Sequence, residues 1–210
     1  MKLLLLGATG LVGSRILKLA LPNAVFSEVI APTRTPLVPR DRLVNPVTPR
    51  LEEFTAALAL YKPDAVICAL GTTRAKAGSK EAFRYVDHTL PILFGKAAHT
   101  AGVERYAIVT AMGASEGSMS FYYRTKGEVE REVRKIGFRS LTICRPSLIG
   151  GERNETRHAE GVALALARHL APILPMKFHV NPADAIATAL LNAVIGGKEG
   201  CRWISAEEMN

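Results

Sequence analysis

The chain has 210 residues, 48% hydrophobic and 22% charged, enough to bury a sizeable core in a single domain over residues 1–210. Its 27 basic and 19 acidic residues give +8, but no block of five basic residues and no interleaved aromatics occur. That spread argues against nucleic acid and leaves a phosphorylated cofactor or an acidic small molecule as the anionic partner. The apolar run Leu3–Leu6 is too short for a membrane span or a secretory leader, so no membrane partner is expected.

Strand-like and helix-like segments alternate. Lys2–Leu6 reads as a strand and Leu11–Leu21 as a helix, followed by a strand over Phe26–Thr33. Residues 36–49 carry prolines 36, 39, 46 and 49 and read as loop, with a short strand at Leu43–Val44. Leu51–Tyr61 is an amphipathic helix and Asp64–Leu70 a buried strand. Ser79–Ala101 is helical and bent around Pro91. Arg105–Thr110 is a strand, Phe121–Ile136 a charged helix and Ser140–Cys144 a strand stopped by Pro146. Ala159–Leu170 reads as helix, Phe178–Val180 as a short strand, Pro182–Val194 as a helix and Arg202–Ser205 as the last strand. The alternation predicts an α/β, Rossmann-type doubly wound parallel sheet, with a small C-terminal cap after residue 145.

Ligands of such a sheet sit at the carboxyl ends of its strands. The first end is Gly7-Ala8-Thr9-Gly10-Leu11-Val12-Gly13, between a strand and a helix N-terminus. Gly7 permits the turn, Gly10 a close approach of backbone to a diphosphate, and Gly13 close packing of helix on sheet; Thr9, Leu11 and Val12 complete the phosphate-binding candidates. After the second strand comes Ala31-Pro32-Thr33-Arg34, with no carboxylate for a ribose 2′-OH. Arg34 instead offers a fork for a 2′-phosphate, which predicts NADP(H). Leu70, Gly71 and Thr72, with Thr73, end the fourth strand and line an adenosine or ribose path; Arg74 is a further phosphate candidate.

Tyr122 and Lys126 are four apart on one helix face, so the ammonium is expected to lower the phenol pKa and make Tyr122 a general acid/base, while Lys126 also holds the nicotinamide ribose. Tyr123 is assigned to packing. Thr110, Ala111 and Met112 end the fifth strand on the same rim, with Met112 as an apolar wall. The cysteines at 68, 144 and 201, odd in number and without C-x-x-C, predict reduced thiols in a cytoplasmic protein; the five scattered histidines predict no metal site.

The tracts GATGLVG (7–13), ALGTTRAKAGSKEAFRYVD (69–87), VTAMGAS (109–115), YYRTKGEVE (122–130) and RPSLIGGERNETRHAE (145–160) cover nearly the whole chain in order. Together they resemble the short-chain dehydrogenase/reductase superfamily, and within it the atypical group that contains the human Tat-interacting protein. The resemblance implies a Rossmann fold, NADP(H) and a Tyr–Lys pair. It also places Arg145 and Ser147 beside the nicotinamide and makes the helices at 79–101 and 121–136 candidate dimer faces; His158 is a separate candidate, for the surface or for a substrate pocket. Two serines usual after the fifth strand are Thr110 and Ala111 here, so the resemblance makes Thr110 the candidate hydrogen-bond donor to a substrate carbonyl, with Ser115 as its substitute. The expected function is an NADP(H)-dependent oxidoreductase for a small carbonyl or alcohol. The alternative is an NADP(H)-binding regulatory protein with a protein partner. A nucleotide-sugar epimerase or dehydratase is disfavoured, because about 65 residues follow Arg145.

Overall fold

The structure is a computed structural model and describes residues 1–150 and 179–209. Nine strands are present among them: β1 (Lys2–Leu6), β2 (Glu28–Ile30), β3 (Leu43–Val44), β4 (Ala65–Cys68), β5 (Arg105–Val109), β6 (Ser140–Cys144), β7 (Ile149–Gly150), β8 (Asn181–Pro182) and β9 (Gly200–Ile204). Seven form one sheet in the order β3-β2-β1-β4-β5-β6-β9, with every pair parallel. Strand order reverses between β1 and β4, which opens a crevice at their carboxyl ends. β7 and β8 pair separately, Ile149 beside Asn181.

The apolar runs are continuous because both sheet faces are covered. Side chains alternate between them: Leu3 and Leu5 join one core, Leu4 and Leu6 the other, and Ala65/Ile67 separate from Val66/Cys68 in the same way. The first core is closed by helices α1 (Leu11–Ala20) and α7 (Ala183–Gly196). The second is closed by α2 (Phe54–Tyr61), α5 (Leu90–Thr100) and α6 (Phe121–Ile136). Two short helices, α3 (Arg74–Ala77) and α4 (Lys80–Arg84), follow β4 and are capped by the hydroxyls of Thr73 and Ser79.

The differences from the sequence expectation have local causes. β2 stops at Ile30, because Pro32 has no N–H for a ladder; only Thr33 makes a further bridge, to Val47. The segment expected to be helical over 79–101 is helical without a break from Lys80 to Thr100. A π-helical turn, Tyr85–Thr89, joins α4 to α5, and Pro91 is in the first turn of α5. A proline ring clashes with the carbonyl four residues back, here Asp87, and the wide turn accommodates it. The short strand expected at Phe178–Val180 lies at Asn181–Pro182 instead. There the Asn181 side chain accepts from the Ser147 N–H (2.8 Å) and donates to the Ala206 carbonyl (2.7 Å), fixing the extended path. The helix expected at 159–170, and His158, lie outside the described residues.

Candidate functional site

Gly7 turns the chain with φ +85°, and a Cβ there would stand 2.6 Å from the Ala69 carbonyl oxygen. A Cβ on Gly13 would stand 2.0 Å from the Gly7 oxygen. Both overlaps are avoided only by glycine, so the first turn of α1 rests directly on the end of β1. The Gly10 N–H donates to the Gly7 carbonyl at 2.9 Å, and the Gly10 carbonyl accepts the Ser14 N–H. No side chain caps the helix, and its first turn carries no acidic residue. The N–H groups of Leu11, Val12 and Gly13 have no intrahelical partner, and the helix dipole adds positive potential. This cradle fits a diphosphate.

In front of it lies a cleft of about 1000 Å³, at the upper end of ligand-pocket size. Thr9, Gly10, Leu11 and Val12 border it at the turn, Leu70, Gly71 and Thr72 after β4, Thr110 after β5, and Tyr122 and Lys126 on α6. Gly7 and Gly13 act from behind the wall. Thr73 also borders it, whereas Met112 and Ser115 do not.

Lys126 is buried, with Nζ 2.7 Å from Asp87 Oδ1 and 6.0 Å from the centroid of the Tyr122 ring. The other Asp87 oxygen accepts the Thr72 N–H at 2.8 Å. One carboxylate on the π-helical turn thereby ties the loop after β4 to α6. Burial depresses the Lys126 ammonium, but Asp87 and the Tyr122 phenol more than offset it and the pKa is raised. Tyr122 departs from expectation. Its phenol pKa is raised above 10, because burial, seconded by the Asp87 charge, outweighs the lysine. This holds although 39% of the residue stays accessible in the cleft wall. Tyr123, equally accessible, lays its ring 3.6 Å from where a Gly113 Cβ would be and does not border the cleft.

Thr110 borders the cleft but does not offer its proton to it. Oγ1 donates to Glu130 Oε1 at 2.6 Å, and Glu130 in turn accepts a two-pronged contact from Arg145, with Nε at 3.0 Å. The expected carbonyl donor is thus committed elsewhere. Arg145 is held by that carboxylate and lies 6.0 Å from the Trp203 ring, outside the lining of the cleft. Ser147 is outside it too: its hydroxyl donates to the His179 carbonyl and its N–H to Asn181. Arg34 is exposed beyond the lining, since the chain turns at Thr33, whose hydroxyl donates to the Thr35 carbonyl at 2.7 Å.

Besides Lys126, the cations that border the cleft are Arg15, Lys18, Arg40 and Lys76. Leu11, Ser14, Arg15 and Lys18 recur at helical spacing along one face of α1. That periodicity was visible in the sequence, but a polar helix face ordinarily meets solvent. Asp87 carried no comparable signal, being one acid in a charged tract.

Residues 7–164 match a family described as NAD(P)H-binding. Among relatives, the mitochondrial protein Fmp52 of Aspergillus fumigatus is 36% identical over 210 residues, covering 93% of this chain and 88% of its own length. The mitochondrial Fmp52 of Candida albicans is 36% identical over 171 residues, covering 79% and 74%. These names overturn the expectation of a cytoplasmic protein. Thiols outside disulfides, as at Cys68, Cys144 and Cys201, do not identify the compartment. Among solved structures, the Bordetella bronchiseptica enzyme WbmH in complex with NAD+ superposes with a TM-score of 0.73 at 16% identity, covering 98% of this chain and 75% of that one. MoeE5 in complex with UDP-glucose and NAD gives 0.73 at 19%, covering 100% and 79%. At such identities the likeness is one of fold, the Rossmann-like α/β sheet described above. With that family matched over more than half of its length and such relatives aligned along nearly all of it, the chain belongs to the NAD(P)H-binding family.

Proposed function

We propose that the protein is an NADP(H)-dependent oxidoreductase of the atypical short-chain dehydrogenase/reductase type, in the group that contains the human Tat-interacting protein, acting on a small carbonyl or alcohol. One observation carries the reading: a single cleft joins an uncapped, carboxylate-free helix N-terminus to Tyr122 and a buried Lys126. The N–H groups at Leu11–Gly13 hold the diphosphate, and Leu70–Thr72 flank the adenosine. Asp87 occupies one of the three ammonium donors of Lys126 and aims the rest toward a ribose. The bound cofactor supplies hydride, and Tyr122 supplies the proton to the substrate oxygen. A phenol that stays protonated at neutral pH suits reduction. The 2′-phosphate preference is supported by the absence of a carboxylate over Ala31–Arg34 and by Arg15, Lys18 and Arg40 along the cleft.

A second reading has its own observation. The Thr110 proton is spent on Glu130 and the second hydroxyl is missing at Ala111, so little is left to polarise a carbonyl. This favours an NADP(H)-binding regulatory protein with little turnover, whose bound cofactor orders a surface for a protein partner. NADPH oxidation followed against a broad aldehyde and ketone panel separates the two. Turnover with at least one member is expected; a silent panel, with tight NADPH binding by calorimetry, abandons the oxidoreductase reading.

A further inference from the structure

The polar chain behind Thr110 leads from the cleft to the edge of the sheet. Thr110 Oγ1 stands 2.6 Å from Glu130 Oε1 and 3.3 Å from the Cys144 carbonyl. Both partners are acceptors, so the single hydroxyl proton points away from the cleft and toward Glu130, the nearer of the two. Glu130 cannot reverse this. It is buried, and the Arg145 fork donates to both of its oxygens, so each already faces a donor and accepts. Arg145 is steadied by its N–H donating to the Ile204 carbonyl on β9 at 2.9 Å and by the Trp203 ring. What this hydroxyl can offer a ligand is lone pairs.

We infer that Glu130 and Arg145 fix Thr110 as a hydrogen-bond acceptor, so that the ligand group seated on it is a donor, an N–H or O–H, and not a carbonyl oxygen. The inference rests on the nucleotide-cleft reading above. Glu130 and Arg145 are positioning residues in it; Thr110 makes the contact. The donor has two sources, the carboxamide N–H of a nicotinamide or a hydroxyl next to the reacting carbonyl of a substrate. The second would make hydroxycarbonyls better substrates than their deoxy counterparts.

The test uses the full chain as wild type, Thr110→Val, Thr110→Ser and Glu130→Gln. In the first arm, calorimetry compares NADP+ with its 3-acetylpyridine analogue, which keeps the carbonyl and replaces the NH₂ by methyl. ADP-ribose 2′-phosphate, which lacks the nicotinamide and keeps the 2′-phosphate, reports the rest of the site. In the second arm, NADPH oxidation compares glyceraldehyde with propanal. If the donor is the carboxamide, wild type prefers NADP+ over the analogue by about two- to tenfold, the range of one neutral hydrogen bond. Thr110→Val abolishes the preference and Thr110→Ser keeps it. Glu130→Gln shrinks it, because an amide N–H can donate to Thr110 and free its proton toward the cleft. If the donor is a substrate hydroxyl, the same pattern appears in kcat/KM for glyceraldehyde over propanal, and not with NADP+. The inference is overturned if Thr110→Val changes neither preference while ADP-ribose 2′-phosphate binds as in wild type, a silent aldehyde arm counting as no preference. Absence of binding of both NADP+ and ADP-ribose 2′-phosphate to wild type removes the nucleotide-cleft reading, and this inference with it.

Discussion

Replacing Asp87 by Asn should destabilise the protein by about 3–5 kcal/mol at neutral pH, the usual penalty for stranding one partner of a buried ion pair. The geometry places it in that class: Lys126 and Asp87 are 2.7 Å apart, with side chains 6% and 1% accessible. An amide cannot satisfy both contacts of the carboxylate. Its oxygen can serve Lys126 or the Thr72 N–H, and its NH₂ then faces the other donor. The penalty also has a ceiling. Lys126 can escape by losing its proton, which from an unfolded value of 10.5 costs about 4.8 kcal/mol near pH 7, at 1.36 kcal/mol per unit. The pH dependence carries the diagnosis. In wild type the folded Lys126 pKa is raised, so the stabilisation of the pair is present below 10.5 and is lost only as pH climbs through the folded value. In the variant the folded value drops below the unfolded one, so its stability rises with pH up to 10.5. Urea unfolding at several values between about pH 7 and 10 should therefore show the gap narrowing. A gap under about 1 kcal/mol, or one that does not change with pH, would refute the ion-pair argument. Asp87→Leu with Lys126→Met in one chain should be more stable than Asp87→Asn alone.

Gly13→Ala should lower stability by at least the 1–3 kcal/mol typical of overpacking, because its Cβ would meet the Gly7 carbonyl at 2.0 Å. It should also abolish NADPH binding, with thermal melts and calorimetry as the two measurements. Tyr122→Phe should reduce turnover about a hundred- to ten-thousandfold with little change in NADPH affinity, and Tyr123→Phe should be mild; the reverse pattern in steady-state kinetics would exchange their roles. Lys18→Ala and Arg40→Ala should each weaken NADPH more than NADH, and Arg34→Ala should do so less, since Arg34 lies outside the lining of the cleft. Equal effects on both nucleotides by titration would remove the 2′-phosphate assignment. With the Tyr122 pKa raised above 10, carbonyl reduction should stay flat from about pH 6 to 9 in the proton-donating step and fall only at higher pH. A decline centred near neutrality would show a lowered pKa.

What was readable in the chain was mostly local. Lys2–Leu6 and Ser140–Cys144 carried their strand signal in runs of apolar residues, and Phe121–Ile136 its helix signal in charge and period. The glycine turn was readable because its steric demands fall within seven residues. Tyr122, Lys126 and Glu130 share one face at four-residue steps, so the stripe itself was legible. Its electrostatics were not, because they depend on partners far off in sequence: Asp87 for Lys126, Arg145 and Thr110 for Glu130. The same distance hid the direction of the Tyr122 shift, since burial is a property of the assembled fold. Arg34 was chosen from the end of a strand expected to run to Thr33; with β2 ending at Ile30, the path of the following loop decides which cation reaches the cleft.

Trp203 is the chain's one tryptophan, on β9 with the Arg134 guanidinium 5.2 Å and the Arg145 guanidinium 6.0 Å from its ring centroid. That placement gives the molecule a built-in optical reporter. Indole emission is sensitive to nearby charge, and one of its two cations is the group that grips Glu130 behind Thr110. The emission also overlaps the absorbance of a reduced nicotinamide, so NADPH in the cleft would act as an energy acceptor as well. Two channels, wavelength and intensity, therefore report from a single unlabelled residue: the first on the rigidity of the Arg145 anchor, the second on the occupancy and redox state of the cleft.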